Sequence, residues 1–125
     1  MWRLVISFTI AGPITIASWG QTNFRWHQVP AKDHSRANPE AGKANAVSSG
    51  AALYKDHCLQ CHGTDVMGDG KKTPSLITES VRSATDGDLE WFLRQGDLLH
   101  GMPSWSSLPT AHRWQIIAYL RSVQR

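Results

Sequence analysis

The 125 residues contain two cysteines, and both lie in one pentapeptide, Cys58-Leu59-Gln60-Cys61-His62. Two thiols are too few for a disulfide-dense scaffold, a four-cysteine zinc site or a cysteine-ligated iron–sulfur cluster. A thioredoxin-like redox pair would follow a strand in a βαβ unit, and no alternating strand pattern of useful length occurs here. A zinc site would need two more ligands at knuckle spacing; His57 is too close along the chain and no second pair follows. A disulfide between Cys58 and Cys61 would leave His62 without a role. The pentapeptide is instead the C-x-x-C-H signature of covalent haem attachment. Two thiols add across the two vinyl groups of one porphyrin, and the next residue carries an imidazole beneath the iron. One haem c held through Cys58 and Cys61, with His62 as an iron ligand, is the expectation.

Residues 48–125 carry helical punctuation around that motif. Ser48 or Ser49 can cap a first helix through Ala51, Leu53 and Tyr54 toward Cys58. Thr85-Asp86-Gly87-Asp88 is a capping box with Asp in place of Glu. Leu89, Phe92 and Leu93 follow at helical spacing, and Gly96 can end that helix. A third starts near Pro109, with Ile116, Tyr119, Leu120 and Val123 as its buried stripe. Loops 63–76 and 96–109 lie between. The domain is all-α, and so small a core needs a cofactor as its staple.

Residues 4–19 are apolar and uncharged after Arg3. They are a signal peptide or a membrane anchor, assigned to residues 1–20. From Trp2 to Gly20 a helix would span roughly 28 Å, about a bilayer core. Trp2, Trp19 and Trp26 resemble interfacial anchors, and the nearest small-x-small site, Thr15-Ile16-Ala17, is poor, so a retained anchor is favoured. Either way the remainder is exported. Residues 21–47, with Pro30 and Pro39, read as a linker whose Asn38-Pro39 part lies against the domain. Residues 1–47 hold five basic against two acidic side chains, and residues 48–125 hold eight of each. The net +3 is therefore not a folded basic surface, and no nucleic-acid partner is expected.

Residues 48–125 resemble the class I, single-haem cytochromes c. Gly50 and Tyr54 match the small-plus-aromatic pair of that family's first helix, and Arg113–Leu120 its final helix, which crosses the first closely at the glycine. Thr73-Pro74-Ser75-Leu76 is similar to the segment whose proline carbonyl receives the hydrogen bond of the ligating histidine. Gly101-Met102-Pro103-Ser104-Trp105 is similar to the loop that delivers a methionine. The resemblance implies a cytochrome c fold of three to four short helices and loops wrapped around the haem. It implies haem contacts from Cys58, Cys61, His62, Pro74 and Met102.

The sixth iron position has as candidates Met67, Met102, His27, His34, His57, His100 and His112. Met67 is too near His62 to reach the other haem face. Met102 lies in a Gly-Met-Pro loop and is favoured; His100 is the rival. Asp65–Gly70 has the look of a calcium loop but lacks its acidic positions, and is read as a turn. Trp91, Trp105 and Trp114 are read as haem-packing or core residues. The implied function is an exported, non-enzymatic one-electron carrier. It would run between a periplasmic or membrane donor, such as a dehydrogenase, and an oxidase or other acceptor, with transient docking to redox protein partners. The alternative is a haem-based gas or redox sensor.

Overall fold

Gly50 is placed where two fourteen-residue helices cross in the computed structural model, which describes Gly12 and residues 25–125. Helix α2 (Ala44–His57) and helix α6 (Thr110–Val123) form the most extensive element pair among the described residues. A Cβ at Gly50 would overlap the Gln115 carbonyl and come within 2.9 Å of Tyr119 Cβ, so only glycine permits this approach. One helical turn further on, the rings of Tyr54 and Tyr119 meet at 5.3 Å. The all-α expectation holds: the described residues form helices and loops, with a single isolated bridge between Asp97 and Met102.

The short α3 (Leu59–His62) follows α2 almost without a break, and α4 (Glu79–Ser83) leads into α5 (Asp86–Gln95). The Thr85 capping box is formed in both directions: Thr85 Oγ1 accepts from Asp88 N at 3.1 Å, and Thr85 N donates to Asp88 Oδ2 at 2.8 Å. Gly96, at φ +68, ends α5 as its spacing implies. Helix α4 is too short to show periodicity in sequence. Its last carbonyls, orphaned at any helix end, are taken by Arg121 Nη1, which donates to Val81 and Arg82 oxygens at 3.3 and 3.2 Å. Arg121 Nε also pairs with Asp86 at 2.7 Å, so α6 is tied to α4 and α5. Tyr54, Val81, Leu89, Trp114, Ile117 and Leu120 are central to the core.

Two boundaries differ from expectation. Helix α2 starts at Ala44, not at Ser48 or Ser49; Ser48 bonds back to the Asn45 carbonyl at 3.0 Å instead of capping. Pro109 is the N-cap of α6 rather than its first helical residue.

The larger difference concerns the linker. Residues 25–43 form a strap that contains a 3-10 turn (Trp26–Gln28) and helix α1 (Ala31–His34), which lies on α5. At Gly87 a Cβ would overlap the Asp33 carbonyl, so the strap backbone touches α5 directly. Thr85 Oγ1 donates to the His34 carbonyl at 2.8 Å, and Asn38 Nδ2 donates to the Trp114 carbonyl at 3.0 Å. Buried beneath the strap, Glu90 (0% exposed) receives Arg36 and Arg113, each at 2.9 Å, while Arg94 reaches Asp33 at 2.7 Å. This segment has no apolar stripe, which is why a tether was expected; polar side chains anchor it instead. The apolar segment 4–19 lies outside the described residues apart from Gly12, and no described helix is long and apolar enough to cross a membrane.

Candidate haem site

The C-terminal turn of α2 places the first cysteine. Cys58 N donates to the Tyr54 carbonyl at 2.8 Å, and Cys58 then leaves α2 geometry and opens α3. Helix α3 closes one turn later, with His62 N on the Cys58 carbonyl at 2.9 Å, so Cys58, Cys61 and His62 share one short element. Tyr54 Oη secures the exit, donating to the Gly63 carbonyl at 2.6 Å. Burial, and to a smaller extent the neighbouring Cys58, pushes the Tyr54 hydroxyl far above its ordinary range, so it stays a donor.

The loop after α3 returns to His62. Gly68 N donates to the His62 carbonyl at 2.9 Å and Leu76 N to the Val66 carbonyl at 2.8 Å. Val66 is buried at φ +58, a conformation that costs a β-branched residue about 1–3 kcal/mol and that the surrounding loop imposes. Asp69 Oδ1 accepts three backbone N–H groups, from Lys71, Lys72 and Thr73. The calcium-like hexapeptide is therefore a turn held by its own carboxylate. The backbone N–H groups, Lys71 first, lower the Asp69 pKa.

This loop brings the Pro74 carbonyl to 3.3 Å from His62 Nδ1. A carbonyl only accepts, so Nδ1 carries the proton and Nε2 keeps a free lone pair. Burial lowers the His62 pKa, partly offset by the Pro74 bond, and the ring is neutral at neutral pH. That is the state a metal requires of an imidazole. The same burial pushes the Cys58 thiol up to about 11, helped by Cys61. Both cysteines are free, Cys58 half-buried and Cys61 exposed.

All five residues singled out in the sequence, Cys58, Cys61, His62, Pro74 and Met102, border one cavity of about 730 Å³. That volume suits a cofactor-sized ligand. Met102 enters on the loop after α5. Asp97 N donates to the Met102 carbonyl at 2.8 Å and Met102 N to the Asp97 carbonyl at 3.0 Å, and Gly101 turns at φ +84 between them. His100 also borders the cavity, but its side chain is 75% exposed and its Nδ1 lies 2.8 Å from Asp97 Oδ2. His57 borders it with its ring 5.1 Å from Trp105, and Met67 is half exposed at the rim. His27, His34 and His112 are not on the lining.

The lining fits a haem in a second respect. Thr78 borders the cavity, and its buried Oγ1 has no hydrogen-bond partner. A buried hydroxyl left alone costs about 1–3 kcal/mol, so the wall has a place for a polar substituent of an occupant. The remaining walls are mainly apolar, among them Leu89, Ile117 and Leu120.

Residues 45–120 match the family described as cytochrome C oxidase, cbb3-type, subunit III. The chain belongs to this family. Residues 45–120 of this cbb3-type subunit III family member are thus a cytochrome c domain, a module of electron transfer. Searches among curated proteins and solved structures return no significant match. The matched span begins after the strap, yet the strap contributes to the site of this family member. Trp26, read in sequence as an interfacial anchor, borders the cavity, packs on Phe92 at 5.5 Å and donates from Nε1 to Ser80 Oγ at 2.9 Å. Trp2 and Trp19 lie outside the described residues. Trp26 and Thr78 are the site residues that sequence reasoning missed. Trp26 stood next to an apolar leader and was grouped with it, and Thr78 carries no motif.

Proposed function

We propose that the protein is an exported one-electron carrier with one haem c attached through Cys58 and Cys61 and ligated by His62 and Met102. The reading is carried by one observation: Cys58, Cys61, His62 and Met102 border a single cavity in which His62 Nδ1 is committed to Pro74. When bound, the haem supplies a ferrous/ferric couple; His62 and Met102 together favour the reduced form relative to two histidines. Pro74 orients the His62 ring and enriches it electronically. The apolar lining excludes water. His62 and Met102 would hold the iron of that haem, and the chemistry it would supply with both in place is one-electron transfer. His100, paired with Asp97, is the weaker candidate for the sixth ligand.

The docking face is the exposed tip of the Met102 loop, where Leu98 and Leu99 stand 78% and 91% exposed. A small apolar tip suits the weak, low-area encounters of redox partners. The family match favours an oxidase as electron acceptor, with a periplasmic or membrane donor such as a dehydrogenase. Residues 1–20 deliver the domain to the periplasm and anchor it if retained; N-terminal sequencing of protein from native membranes decides between cleavage and retention.

Redox titration with spectra on the full-length holoprotein tests the assignment. A single one-electron couple with a methionine–iron charge-transfer band in the ferric state is expected, and Met102→Ala abolishes that band and lowers the potential. Rapid carbon monoxide binding to reduced wild type would instead support a gas sensor. Mass spectrometry of Cys58→Ala/Cys61→Ala is expected to show complete loss of covalent haem.

A further inference from the structure

We infer that the strap is a clamp on the loop that carries Met102, with Arg25 and Trp26 as its positioning residues; this rests on reading Met102 as the sixth ligand. Asp97 is the root of that loop. Its backbone pairs with Met102 in both directions, and its carboxylate receives His100. Arg25 Nη2 donates to the Gly96 carbonyl at 3.3 Å and stands 3.8 Å from Asp97 Oδ1. One strap residue therefore grips the end of α5 and the first residue of the loop together. The next residue, Trp26, lies on Phe92 of α5 and borders the same cavity as Asp97 and Met102. Neither can drift, because the strap is pinned downstream by Asp33 to Arg94, by Arg36 to Glu90 and by Asn38 to the Trp114 carbonyl.

The loop needs such a hold. Its tip, Leu98–Leu99, is exposed, and apart from the Asp97–Met102 bridge few of its side chains are covered. Segments of this kind open locally at low free energy. A thioether is a weak, single-point ligand, so its residence on iron follows the opening equilibrium of the loop that presents it. Any added cost of opening at Asp97 is felt at Met102 through their two backbone hydrogen bonds.

The test uses the ferric full-length holoprotein titrated with imidazole, which competes for the sixth position and is followed by loss of the methionine–iron band. Apparent imidazole affinity rises in proportion to the open fraction of the loop. Arg25→Gln is expected to raise it about fivefold, the scale of a half-exposed charged pair. Trp26→Ala should raise it about tenfold or more, by removing a large aromatic wall. Arg25→Lys should restore most of the wild-type value, and Lys32→Ala, on the exposed side of α1, should leave it unchanged. Wild-type affinity in both Arg25→Gln and Trp26→Ala overturns the clamp. If Trp26→Ala fails to fold, Arg25→Gln decides alone. If wild type lacks the methionine–iron band, or Met102→Ala binds imidazole no more tightly than wild type, the ligand assignment itself fails. If Met102→Ala opens the site and Arg25→Gln does not, only the clamp fails.

Discussion

The helical frame of α2 and α6 and the strap of residues 25–43 both press backbone against backbone at a glycine, yet they are held there by different chemistry. At Gly50 the surrounding contacts are apolar and aromatic: Tyr54 on Tyr119, with Ile116, Ile117 and Leu120 buried along the same helix. At Gly87 the surroundings are ionic and hydrogen-bonded: Asp33, Arg36, Arg94 and Glu90, with His34 on Asp88 at 2.8 Å. Apolar packing leaves a period in the sequence and polar anchoring does not. A segment can thus border a functional cavity, as Trp26 does here, without any of the signals by which helices are recognised.

Glu90 is where the two regions meet, since it receives Arg36 from the strap and Arg113 from α6. Glu90→Gln leaves three guanidinium groups, of Arg36, Arg94 and Arg113, facing a neutral amide. Breaking a buried ion pair in this way is expected to cost about 3–5 kcal/mol, read from the denaturant midpoint of the holoprotein. A cost below about 1 kcal/mol, the range of exposed pairs, would show that the cluster is solvated and the strap weakly attached.

The two glycines separate frame from strap. Gly50→Ala forces α2 and α6 apart and is expected to lower global stability by about 1–3 kcal/mol, the usual cost of overpacking. Gly87→Ala should cost a similar amount but expose the strap selectively, seen as faster hydrogen exchange and proteolysis at residues 25–43 with α2 and α6 still protected. Equal deprotection of both regions would abolish the distinction between them.

Asn38 provides a smaller perturbation confined to the strap. Its Nδ2 serves the Trp114 carbonyl and its Oδ1 accepts from Glu40 N at 2.8 Å, so Asn38→Ala removes two hydrogen bonds at a buried position. Urea denaturation should show a loss of about 1–2 kcal/mol.

The smallest effect lies on the exposed loop before Pro74. Asp69 has a folded pKa below its unfolded value, because its carboxylate accepts backbone N–H groups. Its contribution is therefore fully present above the unfolded pKa, near 4, and is lost as pH falls through the lower folded value. Asp69→Asn should flatten the acid limb of the stability–pH curve while leaving stability above pH ~5 nearly independent of pH through this site.

Much of the site was legible in sequence because its chemistry depends on local spacing. Cys58, Cys61 and His62 fall within one turn of chain, and Pro74 and Met102, to which the resemblance to class I cytochromes c points, border the same cavity. The all-α class, the Thr85 capping box, the Gly96 terminus and the close crossing at Gly50 followed from residues a few positions apart. The strap was not legible for the opposite reason. Arg25 meets Asp97, Asp33 meets Arg94 and Asn38 meets Trp114 across sixty or more residues of chain. Asp33 and Asn38 also have neighbours in sequence, Arg36 at 3.7 Å and Glu40 N at 2.8 Å, but those local contacts do not mark the distant partners.

The sequence by itself determined the chemistry, namely two thiols and an imidazole at a spacing that admits one porphyrin, because that requirement is met within a single turn. The tertiary structure alone decided what surrounds that chemistry: the orphaned Thr78 hydroxyl, the Trp26 wall and the Arg25 grip on the Met102 loop. Those depend on polar groups finding partners far along the chain, and such pairings exist only once α5 and α6 have been packed into place.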